Sequence, residues 1–380
     1  MSNSVIPKAC HASVNNQLPQ TVLITAADSQ LAKALLSTHA SLFTSTLTHQ
    51  NTGSPVRMIA LSHTQLDITD EESIAQAFKQ YAPNAVINCA AYNAVDKAED
   101  DREMADKVNA FGPELLAKMC QKQGARLVHI SSDYVFNGGY VFNSDCVFKG
   151  DGVSDGDCVV DGGNVRDGIN STHRPYRETD IARPLSVYGQ SKLDGEKAVL
   201  TLLPDDAIVV RTAWLFGVDG TNFVKTMLKL MATKPKLEVI NDQLGSPTWS
   251  YALAMVIWQL LLTRQSGLFH YAGAGQCSWF EFACEIQRQA LSLGLLTRQV
   301  PILPITSADY NAQAIAQGRR LATRPNYSVL NSYKTKALLD VALASNEGNL
   351  VPFTNEVPLW QDWRLQLQTM LEAYQDTTIG

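Results

Sequence analysis

At 380 residues, 45% hydrophobic and 18% charged, the chain has the length for a large α/β domain with a second lobe and the composition of a protein that buries a core. Its net charge of −6 gives no basic footprint, which argues against nucleic acid as the main partner. No apolar run approaches the ~20 residues of a membrane span, the nearest being Met255 to Leu262, interrupted by Gln259.

Residues 1–19 are polar, with Lys8 and His11 but no apolar core of a signal peptide, and read as a disordered extension. Thr21-Val-Leu-Ile-Thr25 is a short strand ending at a turn, and Leu31 to Leu36 has helical spacing. Val56 to Leu61 and Ala85 to Ala90 are further strands, separated by a helix over Thr69 to Gln80 with Asp70 and Glu71 in its first turn. A helix from about Asp101 to Gln123 ends at Gly124, and Arg126 to Ile130 is the next strand. Ala207 to Arg211 is another, after a helix that carries Tyr188 and Lys192. Continuous apolar strands alternating with helices predict a buried parallel sheet covered on both faces, a Rossmann-type doubly wound α/β fold over residues 20–215. Residues 216–380 mix helices (Asn222 to Met231, Tyr251 to Leu262, Trp279 to Leu293) with short strands and end in a helix around Leu359–Tyr374. They read as a smaller C-terminal substrate-binding lobe. Seven cysteines, an odd number without metal-ligand spacing, read as reduced thiols of a cytoplasmic protein, and no metal is expected.

Residues 134–169 form an insertion of six hexads, YVFNGG, YVFNSD, CVFKGD, GVSDGD, CVVDGG and NVRDGI, each with Val in second place. Six hexads make only about two coils of a β-helix, too few to bury a core. With eight glycines and six aspartates the segment reads as a mobile acidic loop grown by duplication.

Tyr188-Gly-Gln-Ser-Lys192 places a phenol and an ammonium four residues apart, on one face of a helix. A phenol titrates near about 10 unless a neighbouring cation favours its anion, so the pair suits acid–base work at a carbonyl or carbinol oxygen. By itself the spacing more often marks a half-buried ring beside a solvated lysine. The small residues of Asn88-Cys-Ala-Ala-Tyr92, after the third strand, leave room for a flat ring system at the strand end, where open α/β sheets bind ligands. Tight strand–helix packing, with Asp96 as a helix cap, is the plainer alternative. Ser131-Ser-Asp-Tyr134 puts the Ser132 hydroxyl at the same sheet edge, as a substrate contact or a turn residue.

In order, Val86 to Glu99, Ser131 to Gly138, Pro175 to Asp180, Tyr188 to Glu196, Arg211 to Gly217, Asn222 to Val224, Asp242 to Thr248 and Arg324 to Ser328 resemble the dTDP-4-dehydrorhamnose reductase family of extended short-chain dehydrogenases/reductases. The resemblance runs from about Thr21 to Tyr374, less the hexads and a long loop at Ala40–Pro55. It implies reduction of dTDP-4-dehydro-L-rhamnose to dTDP-L-rhamnose by NADPH or NADH. Tyr188 would protonate the C4 keto oxygen, Lys192 would lower the Tyr188 pKa and hold the nicotinamide ribose, and Ser132, where the family usually has Thr, would orient the carbonyl. Asp133 and Trp214 would meet the dTDP-sugar. Ser29, Gln30 and Leu31 would lie at the diphosphate, Asp67 and Ile68 near the adenine, and Ala91, Tyr92 and Asn93 near the middle of the cofactor. Sugar-nucleotide dehydratases, a neighbouring chemistry, place Glu where this chain has Tyr134.

The departure is at the first turn, where the family's Gly-x-x-Gly-Gln-x-Gly is Ala26-Ala-Asp-Ser29-Gln-Leu-Ala32. The first glycine serves a tight turn, the second lets backbone approach the diphosphate and the third allows close helix packing. Ala26 should resist the turn, Ser29 should hold backbone off the diphosphate, and Asp28 should repel it. A second reading follows: a cofactor-deficient homologue acting as a nucleotide-sugar-binding or regulatory subunit, as the regulatory β subunit of methionine adenosyltransferase does within the wider resemblance. No acidic residue closes the second strand (Leu61-Ser-His63), which mildly favours a 2′-phosphate. Oligomeric state stays open, a homodimer among the options.

Overall fold

The computed structural model describes residues 19–44, 56–139, 174–344 and 359–379, so the N-terminal extension (1–18) and hexad residues 140–169 lie outside the described residues. The first strand and helix, β1 (Thr21–Thr25) and α1 (Gln30–Thr44), are followed by β2 (Arg57–Leu61), α2 (Glu71–Tyr81) and β3 (Ala85–Asn88). Asp70, expected in the first turn of this helix, stands one residue ahead of it and caps α2 by accepting from the Glu72 amide.

After a short α3 (Val95–Ala98), the single helix expected over 101–123 is instead three pieces: α4 (Arg102–Asp106), a π-helical turn (Lys107–Phe111) and α5 (Gly112–Gln123). Pro113 sits in the first turn of α5, where its missing N–H costs nothing, and so marks a helix start inside the expected run. Gly124 ends α5 in the left-handed conformation. Then come β4 (Arg126–Ser132), α6 (Val187–Leu202) and β5 (Ala207–Thr212).

Alternate residues of these strands feed two cores. Val22, Ile24, Ile87, Val128, Ile208 and Val210 face one, with Leu31 and Leu35 of α1. Leu23, Val86, Leu127, Ala207 and Val209 face the other, with α2, α5 and α6. The period of two along a strand thus makes the fold doubly wound.

The chain beyond 215 does not stand apart from this sheet. Short strands β6 (Leu215–Phe216), β7 (Leu237–Ile240), β8 (Leu244–Gly245) and β9 (Thr248–Trp249) flank α7 (Phe223–Thr233) and lead into α8 (Ser250–Leu262). Helix α8 packs on α1 in the first core, with Trp258 fully buried there and its indole N–H donating to Leu35 O and Thr38 Oγ1. Next, β10 (Gly267–His270) pairs in parallel with β5, so the sheet has six parallel strands in the order β10-β5-β4-β3-β1-β2. A boundary at residue 215 therefore divides the sequence but cuts through the sheet. The remainder is β11 (Cys277–Ser278), α9 (Trp279–Ser292), β12 (Ile302–Ile305), α10 (Ser307–Ala316), α11 (Tyr333–Ala344) and α12 (Trp363–Ile379). No helix among the described residues is long and apolar enough to cross a membrane.

Candidate active site

The carboxyl ends of β1, β3, β4 and β5 lie along one edge of the sheet, where open parallel sheets hold ligands, and the amino end of α6 packs on the turn that follows β4. At the first turn Ala26 adopts φ 51, the left-handed conformation expected of a glycine. Alanine therefore does not resist the turn as expected. Its strain is held by hydrogen bonds on either side, Ser29 N to Ala26 O (2.8 Å) and Ala27 N to Leu61 O (2.9 Å). Ala32 is fully buried against the sheet, so a methyl fits at the third glycine position. Ser29 Oγ accepts from the Ala32 amide (3.2 Å), capping α1 and using one first-turn donor. The Gln30 and Leu31 amides precede the first i to i−4 bond, Lys33 N to Ser29 O, and remain at the positive end of the helix. Asp28 is exposed.

The side chains at 30 and 31 have other duties. Gln30 Oε1 accepts from Asn222 Nδ2 (2.8 Å), tying α1 to the start of α7, while Leu31 is buried in the core. Thr25 Oγ1 donates to Asn88 Oδ1 (2.7 Å) and accepts from the Cys89 and Ala90 amides, strapping β3 to β1 where a cofactor's middle would pass. Ala91 and Tyr92 are half-buried there and Asn93 is exposed. Asp67 takes the Thr69 amide and hydroxyl; burial pushes its carboxyl up, but those bonds outweigh it and hold it low. Ile68 is buried over Gly112, where a Cβ would meet its side chain at 2.8 Å. A diphosphate thus fits this turn through backbone donors and small side chains.

Tyr188 lies in the first turn of α6, whose start is fixed by the Ser186 cap to Gly189 N (3.1 Å) and by Glu99 Oε1 accepting from Val187 N (2.9 Å). A Cβ at Gly189 would overlap Tyr134 O, and one at Gly195 would overlap Asn109 O, so both glycines let α6 approach its neighbours. Asn109, in the π turn, clamps Tyr92 through its amide (2.8 Å) and carbonyl (3.1 Å) and donates to Ser191 Oγ (3.1 Å). Burial pushes the Tyr188 phenol above its usual range; a hydrogen bond with Ser132 pulls it back, and Asp133 and Tyr134 add to the rise. The phenol is therefore neutral, the form that donates a proton.

Lys192 does share the Tyr188 face but turns away, Nζ donating to Ile130 O at 2.5 Å. Burial lowers it to about 8, with Glu196 and Cys89 opposing. The expected lowering of Tyr188 by Lys192 is absent here, because the ammonium is aimed at the β4 carbonyl.

Ser132 Oγ donates to Asp133 Oδ1 (3.0 Å) and accepts from Tyr134 N (3.2 Å). Asp133, buried, is pushed up to about 6 by desolvation, with hydrogen bonds from Ser328 and Ser132 opposing. Tyr134 meets Tyr188 edge-on at 5.5 Å and hydrogen-bonds Arg324, which pairs with Asp96 at 2.8 Å. Asp96 also accepts from Ala322 N (2.9 Å), so it ties the 320s to α3 and is not a helix cap. Trp214, at φ 45, stacks on Trp279 with ring centroids 3.5 Å apart and covers Gly245. Beneath the site Glu196 holds Arg211 through two bonds (2.8 and 2.6 Å) and accepts from Ser131. His270, lowered to about 3 mainly by burial, completes this layer against Arg211. Sequence reasoning missed the roles of Asn109, Arg324, Ser328 and the Glu196–Arg211 pair; Arg324 and Ser328 stand in a recognisable motif, but nothing in it names their partners.

The RmlD substrate binding domain model matches residues 21–358. The chain belongs to the dTDP-4-dehydrorhamnose reductase family. A relative of that name from Streptomyces griseus is 37% identical over 283 residues, covering 73% of this chain and 78% of its own length. Among solved structures, a dTDP-4-dehydrorhamnose reductase from Clostridium acetobutylicum is 33% identical with a TM-score of 0.69, covering 93% of this chain and 99% of its own. One from Bacillus anthracis, in complex with NADP, is 28% identical with the same TM-score, covering 94% and 100%. The chain is thus an NAD(P)-dependent oxidoreductase of nucleotide-sugar biosynthesis.

Proposed function

We propose that the protein reduces dTDP-4-dehydro-L-rhamnose to dTDP-L-rhamnose with NADPH or NADH, with Tyr188 as proton donor. The observation that carries this is the Tyr188 phenol, buried beside Ser132 and edge-on to Tyr134 at the end of β4. A nicotinamide held there would supply the hydride for the C4 carbonyl carbon. Tyr188 O–H gives its proton to the carbonyl oxygen as charge develops there, and Ser132 orients that oxygen. Lys192, positive below about 8, sits behind them to hold the nicotinamide ribose. The Gln30 and Leu31 amides at the start of α1 receive the diphosphate, beside Ser29. Asp67 and Ile68 border the adenine, Ala91, Tyr92 and Asn93 the middle of the cofactor, and Trp214 and Asp133 the sugar nucleotide. Free thiols at Cys89, Cys120, Cys277 and Cys284 fit the cytoplasm.

The alternative of a cofactor-deficient binding subunit drew its support from the lost glycines. Ala26 and Ala32 are accommodated and Asp28 is exposed, leaving Ser29 as the one steric objection. The deciding experiment follows NADPH oxidation by the purified protein with dTDP-4-dehydro-L-rhamnose, beside Tyr188→Phe. Turnover by wild type and a loss of ~10²-fold or more in the variant are expected. Full activity in Tyr188→Phe would remove Tyr188 from the mechanism, and binding of dTDP-sugar without any NADPH binding would return the alternative.

A further inference from the structure

A line of hydrogen bonds leaves Tyr188 on the side away from Lys192. Ser132 neighbours the phenol, Ser132 Oγ donates to Asp133 Oδ1 at 3.0 Å, and Ser328 Oγ donates to Asp133 Oδ2 at 2.6 Å. All three residues beyond Tyr188 are buried. Ser328 comes from the far end of the chain, so the line joins α6 to the C-terminal segment through the end of β4.

A serine hydroxyl has one proton and two lone pairs. In this arrangement Ser132 spends its proton on Asp133 and accepts from Tyr134 N. Its one proton committed to Asp133, Ser132 has none left for a substrate oxygen. To orient a carbonyl, Ser132 must turn its O–H away from Asp133. An ionised Asp133, almost fully buried, would then face a serine lone pair. A protonated Asp133 removes the conflict, because its own O–H donates to Ser132 and frees the serine proton for the substrate.

We propose that Asp133, held by Ser328, sets the direction of the Ser132 hydroxyl and returns a proton to Tyr188 through it. This rests on the reading of Tyr188 as the proton donor. Asp133 takes up a proton as substrate binds. When Tyr188 O–H breaks and the carbinol O–H forms, the Ser132 proton passes to the phenolate and the Asp133 proton passes to Ser132. Asp133 finishes as a carboxylate accepting from Ser132 and Ser328, the arrangement seen here. One proton enters, one leaves in the product, and no electrons move along the line. Asp133 and Ser328 are positioning residues, acting through Ser132.

Burial favours the protonated carboxyl, and the Ser328 and Ser132 bonds oppose it. The other titratable groups facing Asp133 are the phenols of Tyr188, from α6, and Tyr134, from its own turn; Arg324 and Asp96 are reached through Tyr134. None of these lends Asp133 a direct cation.

The test is the pH dependence of kcat for NADPH-dependent reduction in wild type, Ser328→Ala and Asp133→Asn. In wild type kcat falls about tenfold per unit above one limb as the proton on Asp133 is lost, and the loss of the Lys192 charge above about 8 adds a second fall that the variants leave in place. Ser328→Ala removes a donor to the carboxylate and moves that limb upward by roughly one pH unit. Asp133→Asn lowers kcat at least tenfold and abolishes the limb. A purely structural role would lower activity equally at every pH, and a limb unmoved in both variants overturns the proposal. If a variant fails to fold, wild type still decides: dTDP-4-dehydro-L-rhamnose added without NADPH in weakly buffered solution at pH 7 should draw in close to one proton, and no uptake overturns the proposal. Tyr188→Phe separates the two readings. Retained activity there defeats the donor assignment, whereas its loss with unmoved limbs defeats this inference alone.

Discussion

Residue 26 offers a direct measure of the strain stored in the first turn. An L-residue in the left-handed region costs roughly 1–2 kcal/mol, and Ala26 sits there at φ 51. Ala26→Gly relieves that strain. Against the gain stand about 0.4–1 kcal/mol of added freedom in the unfolded chain and a few tenths for the half-buried methyl. The net is a stabilisation of about 0.5 kcal/mol. Because a valine at positive φ is a genuine outlier, Ala26→Val should lose a further ~1–2 kcal/mol. The Gly, Ala and Val proteins should therefore unfold in that order of decreasing stability, spanning about 2 kcal/mol in urea. Thermal melting is the weaker assay, since at ~2.1 cal/mol/K per residue a chain of 380 residues shifts by only about 1 °C per kcal/mol. NADPH affinity should change by less than about twofold in Ala26→Gly, because the turn already follows the left-handed path. A valine variant as stable as wild type, or a glycine variant less stable by more than about 1 kcal/mol, would refute the strain argument.

Gly189→Ala places a methyl on Tyr134 O and forces α6 away from the 132–134 turn. Turnover should fall ~10-fold or more through lost alignment, with α6 still folded by circular dichroism; undiminished kcat would mean that Tyr188 and Ser132 need no close approach. Glu196→Gln leaves the Arg211 guanidinium buried without its carboxylate. The expected loss is about 3–5 kcal/mol in urea unfolding, and a loss below about 1 kcal/mol would mean that His270 and ordered water suffice.

The continuous apolar runs around Val22-Leu-Ile24, Val86-Ile87 and Val128, with helices between, were enough to determine a doubly wound parallel sheet, because each strand must bury both faces. The ordered motifs likewise determined the family, and the chain folds Ser132, Tyr188 and Lys192 to one sheet end. Local rules also fixed the Gly124 stop, since it acts within a turn of its own residue. Contacts between distant segments were decided only in three dimensions. The left-handed Ala26 is such a case: propensity disfavours it by an amount that two hydrogen bonds and a packed β1 can hold. Spacing gave Tyr188 and Lys192 a common face, but the depth of burial sent the ammonium to Ile130 O and left the phenol neutral. Gly267–His270 joins the sheet because β5 has a free edge, a fact no window of sequence contains. Asp133 with Ser328, and Asp96 with Arg324, are partners 195 and 228 residues apart. A side chain's local pattern sets what it can bond, and only the packed chain brings the partner that it does bond.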